Sequence, residues 1–275
     1  MSTKTIVITG ASDGIGAEAA RALDAFGHTV VVVGRSPEKT EKVADAIGAP
    51  WYVADFARLD DVRRLAAELR RDLPTIDVLA NNAGGILGAR EVTVDGHEKT
   101  MQVNHLAPFL LTNLLLDVLI ASRASVIATS SVANIALSRF DIDDLDGAKA
   151  YQPRVAYGNA KLENILFTRE LDRRYHDQGI SAAAFHPGIV ASNFASETTS
   201  VMRRFYQSPL KRLLLIPPSA GADTLVWLAT TDPGVAWHSG GYYVRRRPAR
   251  LLSTHAKDPA LARALWERSA AFCGL

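Results

Sequence analysis

The β-branched run from Lys4 to Thr9 passes at once into Thr9-Gly10-Ala11-Ser12-Asp13-Gly14-Ile15-Gly16, and then into an apolar-periodic stretch marked by Ala19, Ala20, Leu23 and Phe26. That order is strand, glycine turn, helix. Glycines let the chain turn tightly and let backbone N–H groups approach a pyrophosphate, while the helix N-terminus supplies positive potential to it. Three residues separate Gly10 from Gly14 and one separates Gly14 from Gly16, a longer first turn than G-x-G-x-x-G. Gly-rich strand-to-helix turns also occur without a ligand, so the rest of the chain has to decide.

The remainder alternates in the same way. Strands are expected near Lys4 to Thr9, Thr29 to Val33, Trp51 to Ala54, Val78 to Asn81, Ser125 to Thr129, Ser181 to Phe185 and Gly241 to Val244. Helices are expected over Gly14 to Phe26, Pro37 to Ile47, Leu59 to Arg71, Gly96 to Ile120, Arg154 to Gln178, Ser219 to Ala229 and Pro259 to Phe272, with Gly179 closing the fifth. Right-handed crossovers then predict an α/β fold of one doubly wound Rossmann-type domain over residues 1–275. Its seven-stranded parallel sheet has the order 3-2-1-4-5-6-7, with helices on both faces. A chain of 275 residues with 48% hydrophobic content can bury such a core.

The second strand ends in Gly34-Arg35-Ser36, where a carboxylate would bind the adenosine 2′-hydroxyl of NAD. No carboxylate stands there. The guanidinium of Arg35 suits a 2′-phosphate, which favours NADP(H) and leaves NAD(H) possible. Arg35 solvated at a loop tip is the plainer alternative, and Asp13 near the phosphates counts mildly against a 2′-phosphate.

Further along, Tyr157-Gly158-Asn159-Ala160-Lys161 follows the pair Ser130-Ser131. Four residues apart on a helix, a phenol and an ammonium share one face. A cation at about 4 Å is worth roughly 4 kcal/mol at an effective dielectric of 20, enough to bring a phenol toward proton exchange near neutral pH. Any Tyr and Lys on a solvated helix face would match the same pattern.

Together these segments resemble the short-chain dehydrogenases/reductases over nearly the whole chain. The family's glycine motif corresponds to Gly10, Gly14 and Gly16, its Asn-Asn-Ala-Gly to Asn81-Asn82-Ala83-Gly84, and its adenine-contacting acid to Asp55 beside Phe56. The resemblance implies a catalytic tetrad of Asn104, Ser131, Tyr157 and Lys161. It places cofactor contacts at Gly10, Ser12, Asp13, Gly14, Ile15, Gly16, Arg35, Asp55, Phe56, Asn82, Ala83, Gly84, Tyr157, Lys161, Pro187, Gly188, Val190 and Ser192. Val103-Asn104-His105-Leu106, Lys161 to Phe167 and Ser239-Gly240-Gly241-Tyr242-Tyr243 resemble retinol dehydrogenase-like members most. The implied activity is reversible hydride transfer between a nicotinamide and a carbonyl or alcohol carbon, with Tyr157 as general acid/base and no metal. A catalytically silent NAD(P)-sensing or interaction protein on the same fold is the rival reading; an extended-branch epimerase or dehydratase fits poorly.

Two segments depart from the regular alternation. The step from Ser131 to Tyr157 is about twice the family's usual spacing, and its Asp-rich insertion, residues 133–155 with Phe140 and Tyr151, is expected to loop outward. Residues 191–218 carry Phe194, Met202, Phe205, Tyr206, Leu210 and Leu213 at helical spacings. The resemblance places them as a substrate lid over a sizeable apolar carbonyl or alcohol, although core packing or a dimer surface would use the same residues.

The remaining features narrow the setting. Thirty-one basic against twenty-nine acidic side chains, with basic runs as short as Arg245-Arg246-Arg247, argue against a nucleic-acid partner. Apolar runs near the N-terminus are too short for a signal peptide or membrane span. The single Cys273 fits a reducing cytoplasm. No cluster has metal-ligand spacing. Leu106, Phe109, Leu110, Leu114 and Leu115 form a larger apolar face than one sheet needs, so a homodimer is expected, although the same residues could all be buried against the sheet, as in a monomer.

Overall fold

The computed structural model describes residues 2–188 and 216–275. Chain order is β1 (Thr5–Thr9), α1 (Gly14–Ala25), β2 (Thr29–Gly34), α2 (Pro37–Asp45), β3 (Trp51–Val53), α3 (Leu59–Asp72), β4 (Val78–Asn81), α4 (Lys99–Met101) and a π-helical turn (Gln102–Leu106). Then come α5 (Ala107–Leu114), α6 (Leu116–Ala121), β5 (Ser125–Thr129), α7 (Ala133–Ala136), α8 (Pro153–Tyr175), β6 (Ser181–His186), α9 (Pro218–Thr230), β7 (Gly241–Val244), β8 (Arg247–Pro248) and α10 (Pro259–Cys273).

The sheet order is β3-β2-β1-β4-β5-β6-β7-β8. Seven strands run parallel as expected, and an eighth, unforeseen, pairs antiparallel with β7. The turn between β7 and β8 is made by Arg245 and Arg246 at φ 51° and 60°. Two-residue hairpins of this geometry usually carry Asn or Gly, so Arg-Arg gave no turn signal. Arg246 is held there by an ion pair with Asp223.

Ile6 and Ile8 face one side of the sheet and Val7 the other, and all three are fully buried, as a parallel sheet covered on both faces requires. The Ile6 side packs against Ala19, Ala20 and Leu23 of α1 and Leu225 of α9. The Val7 side packs against Leu65 of α3, Phe109 of α5 and Trp266 of α10. Among the described residues no helix is long and apolar enough to cross a membrane.

Residues 96–120 are not the single helix expected. Asn104 Nδ2 donates to the carbonyl of Thr100 at 2.8 Å, entering the helical ladder with a side chain, and the backbone widens there into the π turn. A second break falls at Leu115, with φ −101° and ψ 3°. Gly179, at φ 101°, closes the 3-10 turn that follows α8.

The apolar surplus of this region is buried within the chain. Leu106, Phe109, Leu110 and Leu115 are at most 1% exposed, and Leu114 packs partly buried against the same cluster. Trp266 of α10 lies edge-on to Phe109 at 4.9 Å and stacks on Phe167 of α8 at 5.8 Å. The C-terminal helix thus covers this apolar face within the chain.

Candidate active site

The site is built at the carboxyl ends of the strands. Gly10 and Gly14 hold φ of 65° and 55°, a region open to glycine at little cost. A Cβ on Gly10 would stand 2.7 Å from Ala83 Cα, and one on Gly16 would strike the Gly10 carbonyl oxygen. Asn82 fastens the two loops together. Its Nδ2 donates to the Thr9 and Gly10 carbonyls at 3.0 and 3.3 Å, while Thr9 Oγ1 accepts from the backbone N–H groups of Asn82 and Ala83 at 3.0 Å each. Asp13 caps α1, accepting from Gly14 N at 2.7 Å.

A cleft of about 850 Å³ runs from this turn across β2 and β3. Of the residues expected to hold a cofactor, Gly10, Ser12, Arg35, Asp55, Phe56, Ala83 and Gly84 line it. Asp13, Gly14, Ile15, Gly16 and Asn82 shape the turn beside it. Ile86, Leu87, Lys99 and Val103 also line the cleft and were not anticipated. They come from the β4–α4 connection and the start of the broken helix, where no local motif marks them. The glycine cradle, the α1 N-terminus and the reach from Arg35 to Gly84 fit an extended dinucleotide.

No side chain fits at position 34: a Cβ there would strike Thr40 Oγ1 and stand 2.7 Å from Ser12 Cβ. Arg35 beside it is exposed and faces the cleft. Asp55 Oδ1 accepts from Ala57 N at 3.0 Å, fixing the loop after β3.

Asn104, Tyr157 and Lys161 of the expected tetrad come together past the other end of the cleft. Lys161 is 1% exposed; its Nζ donates to the Thr129 carbonyl at 3.1 Å and lies 5.4 Å from the Tyr157 ring centroid. Burial pulls its pKa down to about 7. Ser130 Oγ donates to the Lys161 carbonyl at 2.6 Å, anchoring α8 to β5. Ser131 is only half-buried, and its Oγ accepts from Ala133 N at 3.2 Å. Asn104 braces the far wall: Oδ1 accepts from Gly85 N at 3.1 Å and Nδ2 donates to Gly85 O at 3.0 Å. Gly84 sits between Asn104 and Lys161, where a Cβ would strike Asn104 Oδ1 and come within 3.2 Å of Lys161 Nζ.

The insertion does not swing clear of α8. A Cβ on Gly158 would stand 2.7 Å from Ser138 N, and Asn159 Oδ1 accepts from Arg139 N at 2.8 Å. The chain after α7 is therefore pinned over the helix turn that carries Tyr157. Ile86, Ala133 and Tyr157 form a small apolar cluster with Leu137, giving the phenol an apolar wall.

Pro187 and Gly188 follow β6 as expected. Val190, Ser192, Phe194, Met202, Phe205 and Tyr206, and with them most of residues 191–218, lie outside the described residues. Among the described residues no group of His, Cys, Asp or Glu is placed to hold a metal ion.

Residues 4–202 match the family described as short chain dehydrogenase. The chain is 44% identical over 279 residues to a Streptomyces sp. (strain C5) protein provisionally named daunorubicin C-13 ketoreductase DnrU, covering 98% of this chain and 93% of that one. It is 35% identical over 284 residues to retinol dehydrogenase 13 of Homo sapiens, covering 99% and 85%. The structure of the Pseudomonas aeruginosa RhlG/NADP active-site complex superimposes with a TM-score of 0.70 at 26% identity, covering 88% of this chain and 94% of that one. The chain belongs to the short-chain dehydrogenases/reductases, close to their retinol dehydrogenase-like members, and is an NAD(P)-dependent oxidoreductase acting on CH–OH and C=O groups.

Proposed function

We propose that this protein is an NADP(H)-dependent oxidoreductase that interconverts a sizeable apolar carbonyl compound and its alcohol, with Tyr157 as the general acid/base. The observation that carries this reading is the buried Lys161 ammonium 5.4 Å from the Tyr157 ring, beyond the Gly84 end of a cleft that Arg35 also lines. Gly10, Ser12 and the α1 N-terminus would hold the pyrophosphate, Arg35 the 2′-phosphate, and Asp55 with Phe56 the adenine. A bound nicotinamide supplies or accepts the hydride.

The chain's own groups handle the proton. In reduction, the Tyr157 hydroxyl gives its proton to the substrate oxygen as negative charge develops there, and the Ser131 hydroxyl hydrogen-bonds the same oxygen. Lys161 favours the phenolate left behind. Asn104, with its side chain committed to Gly85 and Thr100, braces the wall between β4 and α8. Residues 191–218, through Phe194, Met202, Phe205 and Tyr206, would close over the substrate, and the chain would act as one domain in a reducing cytoplasm. A relative named as a retinol dehydrogenase supports an apolar substrate.

A homologous series of aliphatic aldehydes and ketones assayed at fixed NADPH tests this. One buried methylene is worth about 0.8 kcal/mol, so each two-carbon extension should raise kcat/KM about tenfold until the pocket is full. A flat or falling series would remove the apolar substrate from this reading. Tight nicotinamide binding without turnover of any carbonyl or alcohol would instead identify a silent sensor.

A further inference from the structure

A second cavity, with about 830 Å³ of open space, lies between α8 and the insertion, on the side of α8 away from the cofactor cleft. Glu163 lines it two residues beyond Lys161, and side chains at i and i+2 of a helix do not share a face. Four more carboxylates stand on its wall: Glu98, Asp141, Asp144 and Asp146.

Those four are committed to the protein. Glu98 accepts from Thr100 N and Met101 N at 2.8 Å each and from the Tyr151 hydroxyl at 3.0 Å. Asp146 Oδ1 accepts from Glu98 N at 2.9 Å and lies 3.7 Å from His97 Nδ1. Asp144 accepts from Ala148 N at 2.8 Å, and Asp141 pairs with Lys149 at 2.9 Å. Glu163 differs. It is 1% exposed, and its Oε2 has no hydrogen-bond partner among the described residues.

We infer that this cavity binds an organic ammonium ion, with Glu163 as its carboxylate anchor. A buried carboxylate is costly until a cation with hydrogen-bond donors meets it, and an ammonium group brings three. Met101, Leu145 and Val155 on the same wall would cover an apolar body. A metal ion fits less well, because no three ligating side chains among the described residues converge. Arg139, the basic side chain on the wall, is exposed and leaves the inner end of the cavity acidic.

Burial, reinforced by Glu98 and Asp146, raises the Glu163 pKa well above the usual carboxylate range. An ammonium ion beside it favours the charged carboxylate and opposes that shift. Asp141, Asp144, Asp146, Arg139, His97 and Tyr151 are the other titratable groups facing or backing the cavity.

Calorimetric titration of the full chain with benzylammonium, with NADPH saturating the catalytic cleft, tests the inference. At low salt the expected result is saturable one-to-one binding with a Kd of about 1 mM or tighter, at least tenfold weaker in Glu163→Gln and unaffected by the neutral isostere benzamide. Absence of saturation, equal affinity in Glu163→Gln, competition by benzamide or displacement by Mg²⁺ would each overturn it. If Glu163→Gln does not fold, Ala150→Phe, an exposed position on the cavity wall, serves instead: it should block benzylammonium, and unchanged binding would refute the site.

Discussion

Lys161 Nζ lies 5.4 Å from the centroid of the Tyr157 ring and is tied at 3.1 Å to the carbonyl of Thr129, the last residue of β5. One helix face and one strand end thus fix the ammonium relative to the phenol. Tyr157→Phe should keep this packing and lose only the transferable proton. Turnover is expected to fall by roughly 10²–10⁴ with the NADPH dissociation constant nearly unchanged, as read by steady-state kinetics and fluorescence titration. Lys161→Ala should damage both quantities. Wild-type turnover in Tyr157→Phe would end the assignment.

Cofactor choice rests on Arg35. NADPH should bind at least about tenfold tighter than NADH, roughly 1.4 kcal/mol, and Arg35→Ala should erase most of that difference. Gly34→Asp is a poor route to reversing the preference, since its Cβ would meet Thr40 Oγ1 and Ser12; this variant should melt at a lower temperature before any cofactor gain is seen. Equal NADPH and NADH affinities in the unmodified protein would refute the role of Arg35.

Trp266 seals the α5/α8 face against Phe109 and Phe167, with the Arg174 guanidinium 4.8 Å over its ring. Sedimentation should show a single chain of 29.7 kDa. Trp266→Ala should cost about 3–5 kcal/mol and promote self-association through the uncovered apolar face. A stable dimer of the unmodified protein would show that pairing uses some other surface.

His105 couples the π turn to α10 through a 2.8 Å hydrogen bond between its Nε2 and Ser269 Oγ. Burial lowers its pKa from 6.5 to about 3. The folded protein therefore excludes a proton that the unfolded chain takes up, and this contribution to stability is lost as pH falls from about 6.5 toward 3. The slope approaches about 1.4 kcal/mol per pH unit. Urea midpoints between pH 7.5 and 4.5 should fall more steeply for the unmodified protein than for His105→Gln; parallel curves would refute the assignment.

The alternation of β-branched runs with periodic apolar stretches was enough to predict seven of the eight strands among the described residues, and the parallel order. A strand covered on both faces reads as a continuous β-branched run, and a helix packed against the sheet as a periodic one. The glycine turn and the Tyr157/Lys161 spacing were legible for a related reason: each is a short-range geometric demand met by adjacent residues. Long-range contacts decided the rest. Nothing local says that Asn104 will take the Thr100 carbonyl and widen its helix, or that α10 will cover the surface that Leu106 and Phe109 were expected to offer a partner. The closed space at Gly34 and the burial of Lys161 and Glu163 likewise exist only once distant segments pack together, because steric exclusion and desolvation depend on neighbours in space and not on neighbours along the chain.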